Sequence, residues 1–112
     1  MAAEPAPRRG EVWLVTFGSS AAGEIQKTRP AVVLSNDTAN ALLNRVQVVP
    51  ISSQVTRLYP AEAYVSLNGA RRKAMADQIT TASKHRLQRR MGTLSAEDVA
   101  AVARVVRLQL GL

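Results

Sequence analysis

Arginine, hydroxyl and amide side chains gather at a few breaks in the hydrophobic pattern: Glu24 and Lys27-Thr28-Arg29-Pro30, then Ser52-Ser53-Gln54, then Asp77-Gln78. Residues of these types can cleave a phosphodiester without a metal. In RNA the neighbouring 2′-hydroxyl is the nucleophile, so a protein need only hold the chain, neutralise the phosphorane and move protons. An arginine fork and a hydroxyl suffice for that. Other chemistries are excluded by residue supply. His85 is the single histidine and cysteine is absent, so a two-histidine acid/base pair, a thiolate metal site and a cysteine nucleophile cannot be built from one chain. The eight carboxylates are dispersed, and phosphate-loop, dinucleotide and nucleophile-elbow glycine patterns are missing. No metal and no cofactor is therefore expected. The same residues also read as a solvated arginine and serines that merely end a strand. The pattern by itself leaves both readings open.

Composition narrows the partner. The chain has 112 residues, 46% hydrophobic and 21% charged, which suits one globular domain and neither a disordered chain nor one that spans a membrane. No apolar run approaches the roughly 20 residues of a membrane-spanning helix. The absence of cysteine fits a reducing cytoplasm, and residues 1–7 lack the charged and apolar regions of an export signal. Fifteen basic residues stand against eight acidic ones, for a net charge of +7. Twelve of the fifteen are arginine, whose planar fork grips phosphate at two points and stacks on bases. Nucleic acid is the polyanion this composition favours.

The elements that must position these residues follow from periodicity. Residues 1–9 read as a flexible arm and residues 10–112 as a single domain. In residues 11–17 apolar side chains occupy both phases of the alternation, which predicts a strand buried on both faces. Residues 18–23, small and glycine-bounded, read as a lid-like loop. A second strand is expected over residues 30–35, with Arg29 held extended at its mouth by Pro30. One or two helical turns follow over 38–43, then a third strand over 46–51 stopped by Pro50 and the two serines. A fourth strand over 63–67 meets Asn68-Gly69, a hairpin signal, and the basic edge Arg71-Arg72-Lys73. The return strand is placed over 74–80 and a short basic surface helix over 83–90. Ser95 with Asp98 forms a capping box before an amphipathic helix with Val99, Val102, Ala103, Val106 and Leu110 on its apolar stripe and Arg104 and Arg107 in solvent. Five or six strands and one terminal helix make a small α+β barrel.

Several blocks, in order, resemble a known family. Arg9-Gly10-Glu11-Val12-Trp13, Gly23-Glu24, and Arg29-Pro30-Ala31-Val32-Val33-Leu34-Ser35-Asn36-Asp37 are similar to the MazF/PemK toxin endoribonucleases, the mRNA interferases of type II toxin–antitoxin modules. Val49-Pro50-Ile51-Ser52-Ser53-Gln54, Tyr59-Pro60, Ala76-Asp77-Gln78-Ile79 and the terminal helix agree, over roughly residues 8–112. The resemblance implies an SH3-like barrel of the PemK/CcdB type and a homodimer with RNA along the dimer groove. It also implies metal-independent cleavage of single-stranded RNA to 2′,3′-cyclic phosphate and 5′-hydroxyl ends, which inhibits translation and growth. The family's catalytic arginine falls on Arg29 and its catalytic threonine on Ser52, with Ser53 the adjacent alternative; serine keeps the hydroxyl but loses the methyl that restrains the rotamer. Glu24, Lys27, Thr28, Ser53, Gln54, Arg57, Asp77, Gln78 and Arg86 are the expected RNA-binding residues. A guanidinium is a poor general base, so Arg29 is expected to act electrostatically. The expected partner is a cognate antitoxin whose acidic, disordered C-terminal tail folds into the same groove, with operator DNA met only through the antitoxin complex. Two binding-only readings stand beside this one: a catalytically inactive relative, and a poison of gyrase like CcdB.

Overall fold

A computed structural model describes residues 5–18 and 27–112. Seven strands form one antiparallel sheet, and two helices complete the α+β chain. The strands are β1 (Glu11–Phe17), β2 (Lys27–Val33), β3 (Arg45–Ser52), β4 (Glu62–Leu67), β5 (Ala70–Met75), β6 (Thr80–Ser83) and β7 (Leu87–Thr93). The helices are α1 (Asp37–Leu42) and α2 (Ala96–Leu110). Neighbouring strands run in the order β4-β5-β3-β2-β1-β7, with β6 also on β3.

β3 organises the sheet because it changes partner along one edge. Its first half pairs β6 from Arg45↔Ser83 to Val48↔Thr80, and its end pairs β5 at Ile51↔Ala74 and Ser52↔Lys73. Val49 and Pro50 fall in the gap between those ladders. A proline lacks the N–H that a central strand needs, and here it sits where no ladder asks for one on that edge. Pro50 therefore does not stop the strand, as the sequence suggested. β3 continues through it and delivers Ser52 at its end.

The sheet's two faces bury separate apolar clusters. Val12, Val32, Val49, Ile51, Val65, Leu67 and Ala74 pack with Val102, Val105 and Val106 of α2. On the other side Val15, Ala31, Val33, Val46, Val48 and Ala82 pack with Trp13, Phe17 and Leu87. β1 feeds both clusters, which is why its apolar residues occupy both phases. α2 begins where expected: the Ser95 hydroxyl accepts from Asp98 N at 3.1 Å. The Asp98 carboxylate does not complete the box; it accepts from Ser66 N of β4 at 2.8 Å, pinning the helix to the hairpin. Val105 joins the buried stripe, whereas Leu110 is 54% exposed and falls outside it.

Residues 74–80 are not one return strand: β5 ends at Met75, a 3-10 turn spans Ala76–Gln78, and β6 resumes at Thr80. Residues 83–90 are not a helix: a single 3-10 turn over Lys84–Arg86 leads into β7, an edge strand on β1. The hairpin between β4 and β5 is as read, with Asn68 and Gly69 at φ of 51° and 82°, the pair of positive angles a tight two-residue turn requires. The turn also abuts β7, where Asn68 Nδ2 donates to Met91 O at 3.0 Å. At the N-terminal side, Arg8 pairs with Asp37 at 3.0 Å, Arg9 N donates to Asp37 Oδ1 at 2.7 Å, and the Arg9 guanidinium donates to Leu34 O.

Candidate functional site

β2 and β5 flank the end of β3, and a groove of about 580 Å³ opens there. Arg29, Pro30, Ser52, Ser53 and Gln54 line it, with Ile51, Leu67, Arg72 and Met91 completing the wall. Residues from two separate breaks in the sequence, 29–30 and 52–54, are thus brought to one place. The cause is local and specific. Arg29 pairs Val15 across β1–β2, so extended backbone fixes its Cα, and it is half-buried. Among the described residues it has no carboxylate partner. Ser52 is the last residue of β3, and its hydroxyl oxygen accepts from Gln54 N at 3.0 Å. That contact occupies a lone pair and leaves the O–H available to donate elsewhere. Ser53 and Gln54 are exposed beyond it.

The remaining expected site residues lie elsewhere, with one exception. Glu24, with most of the lid-like loop, lies outside the described residues. Lys27 and Thr28 occupy the exposed start of β2 opposite Phe17 and Thr16. Arg86 points its guanidinium to Thr16 O and Gly18 O at 3.4 and 3.3 Å. Arg57 lies beside Tyr59, donating to its hydroxyl at 3.3 Å. Asp77 lines a separate hollow with Tyr59, Pro60, Ala61, Glu62 and Gln109. Gln78 is exposed, its amide 3.6 Å from Met75 Sδ. His85 is exposed, as an ordinary surface residue would be.

Arg72 was missed by motif reasoning. The signal was present in Arg71-Arg72-Lys73, but strand alternation divides that run. Arg71 stacks on Tyr64, 4.6 Å from the ring centre. Lys73 is buried against Glu62 at 2.9 Å. Arg72 alone lines the groove. The arrangement offers two guanidinium groups, a hydroxyl and an amide around one concavity, with apolar walls. It suits a phosphodiester better than a carbon-centred substrate, because the donors are cationic and planar.

Comparison with known proteins agrees with this chemistry. A family model described as PemK-like, MazF-like toxin of type II toxin–antitoxin systems matches residues 8–110. Endoribonuclease MazF9 of Mycobacterium tuberculosis is 36% identical over 114 residues, covering 94% of this chain and 97% of that protein. The crystal structure of MazF from Deinococcus radiodurans superposes with a TM-score of 0.81 at 24% identity, covering 97% of this chain and all of that one (100%). An endoribonuclease in complex with its cognate antitoxin, from a mycobacterial species, superposes with a TM-score of 0.80 at 22% identity over 96% of this chain and 97% of that one. The solved structures establish the SH3-like, CcdB-type fold, and the family match covers almost the whole chain. This chain belongs to the PemK-like, MazF-like toxins of type II toxin–antitoxin systems.

Proposed function

We propose that this chain is an endoribonuclease that cleaves single-stranded RNA at specific sequences without a metal, stopping translation and growth. The observation that carries the reading is the convergence of Arg29 and Ser52 on one groove, with Arg72 beside them. In the proposed reaction the 2′-oxygen attacks the adjacent phosphorus, the P–O5′ bond breaks, and the fragments end in a 2′,3′-cyclic phosphate and a 5′-hydroxyl. The proton lost from the 2′-hydroxyl balances the one gained by the leaving 5′-oxygen. Arg29 binds the scissile phosphate and offsets the charge that grows on its nonbridging oxygens, while the Ser52 O–H donates to one of them. Arg72 and the Gln54 amide hold the flanking chain. Glu24, Lys27, Thr28, Ser53, Arg57, Asp77, Gln78 and Arg86 remain proposed RNA contacts, those away from the groove extending the footprint along the chain.

The protein works in the cytoplasm as a homodimer, and a cognate antitoxin with an acidic, disordered tail neutralises it by folding into the same basic groove. No described helix is long and apolar enough to cross a membrane. The test is incubation of a long single-stranded RNA with purified protein in EDTA, with the fragment ends determined. Wild-type protein should cut at a defined sequence and leave cyclic phosphate and 5′-hydroxyl ends. Failure of folded wild-type protein to cut several unrelated RNAs overturns the reading, and inhibition of DNA supercoiling would then replace it with gyrase binding.

A further inference from the structure

Ser52 heads a long connection. Residues 53–61 join β3 to β4 without a strand or helix, yet the groove needs Ser52, Ser53 and Gln54 in fixed positions. Backbone hydrogen bonds hold only its far end, Glu62 N to Tyr59 O and Ala76 N to Ala61 O, both at 3.0 Å, so order nearer the groove falls to side chains behind the connection. Three such ties are present. Tyr64 donates its hydroxyl to Val55 O at 2.8 Å. Lys73 Nζ donates to Arg57 O at 3.0 Å and to Glu62 Oε1 at 2.9 Å. Glu62 Oε1 also accepts from Tyr59 N at 2.9 Å.

These ties belong to one row of the sheet. Ser52 is opposite Lys73 across β3–β5, and Lys73 is opposite Tyr64 across β5–β4. The serine that heads the connection and its two anchors thus lie on one cross-strand line, and Tyr64 shares a face of β4 with the residues two away from it. Glu62, two residues before Tyr64, joins that face. Lys73 is only 6% exposed and Glu62 only 9%, and the ammonium also lies 5.3 Å from the centre of the Tyr59 ring. A buried lysine is costly to desolvate unless its donors are spent. Here they are spent on one carboxylate and on the carbonyl of the connection itself.

We propose that Lys73, through its buried pair with Glu62, is a positioning residue for cleavage: it fixes the 53–61 connection and thereby the Ser52–Gln54 edge of the groove. The proposal rests on the endoribonuclease reading, and its test separates the two. Lys73→Met alone strands the Glu62 carboxylate, so the decisive variant is Lys73→Met combined with Glu62→Gln, which removes both charges and keeps an acceptor for Tyr59 N. Tyr64→Phe, a milder variant, removes only the tie to Val55.

Two readouts are measured on variants shown to be folded by circular dichroism. Trypsin cuts after arginine, and the Arg57–Leu58 bond is the one whose carbonyl Lys73 holds. The double variant should be cut there at least tenfold faster than wild type, with cutting after Arg104 unchanged. Its kcat on RNA should fall about a hundredfold, the cost of misplacing a reacting group by an ångström, while KM stays within threefold. Tyr64→Phe should move both readouts in the same direction by less. Unchanged cutting at Arg57–Leu58 in the folded double variant overturns the clamp, and Tyr64→Phe with both readouts at wild-type values does so if the double variant fails to fold. Faster cutting there with unchanged kcat overturns its link to the groove. Wild-type protein that never cleaves RNA overturns the endoribonuclease reading, and with it the role in cleavage, leaving trypsin to decide the clamp alone.

Discussion

Arg29 and Lys73 stand on the two strands that flank the end of β3, and their environments are opposite. Arg29 on β2 is half-buried, lines the groove and has no carboxylate partner among the described residues. Lys73 on β5 is buried, with its charge and donors committed to Glu62 and Arg57 O. A cation with unmet donors beside a concavity is available to a ligand. One whose donors are spent internally is available only to the fold. The chain's positive charge is therefore of two kinds, and net charge alone does not say which arginine or lysine is open to a ligand.

The largest expected effect breaks that division from the structural side. Lys73→Ala leaves the Glu62 carboxylate buried without its partner, which costs about 3–5 kcal/mol, a large share of the stability of so small a domain. Arg29→Ala removes no side-chain hydrogen bond or ion pair among the described residues and should change urea stability by under about 0.5 kcal/mol. Cleavage should fall with either substitution, but Arg29→Ala should lose about 10²–10³ in rate, the cost of one preorganised donor, with the fold's stability intact. Equal destabilisation by the two substitutions would erase the comparison.

How much of this was legible in the sequence follows the same line between local and distant causes. β1, α2 and the Asn68-Gly69 turn were readable because alternation, a cap and a dipeptide with positive φ are local signals. β7 was misread as a helix because it is an edge strand with most of its side chains exposed, so Leu87-Gln88-Arg89-Arg90 shows no apolar alternation. Pro50 was misread as a stop because the gap between the β6 and β5 ladders exists only in the folded sheet. Within the site, Arg29 and Ser52 were found by motif. Arg72 and Lys73 were visible only as a basic run, and separating them needed Glu62, eleven residues from Lys73.

The two adjacent serines sharpen the comparison at smaller scale. Ser52 is oriented, its oxygen accepting from Gln54 N, whereas Ser53 is exposed and forms no side-chain hydrogen bond among the described residues. An oriented donor loses more when removed. Ser52→Ala should therefore lower the cleavage rate about 10²-fold, and Ser53→Ala only a few-fold. Ser52→Thr, which restores a rotamer-restricting methyl, should retain activity. A larger loss from Ser53→Ala would move the hydroxyl role one residue along.

The smallest expected effect concerns Arg72, which lines the groove with Arg29 and Ser52 and is proposed to hold a flanking phosphate, not the scissile one. If it holds a flanking phosphate, its charge contributes to affinity through counterion release and little to the chemical step. For a single strand each neutralised phosphate adds about 0.7 to the slope of log affinity against log salt. Arg72→Ala should thus weaken binding of a noncleavable RNA several-fold at low salt and reduce that slope by about 0.7, with the rate of cleavage of bound RNA nearly unchanged. Arg104→Ala, on the solvent side of α2, should leave the slope alone. A slope unchanged by Arg72→Ala would mean that the groove wall carries its charge for the fold, as Lys73 does, and would leave Arg29 as the groove's sole phosphate contact.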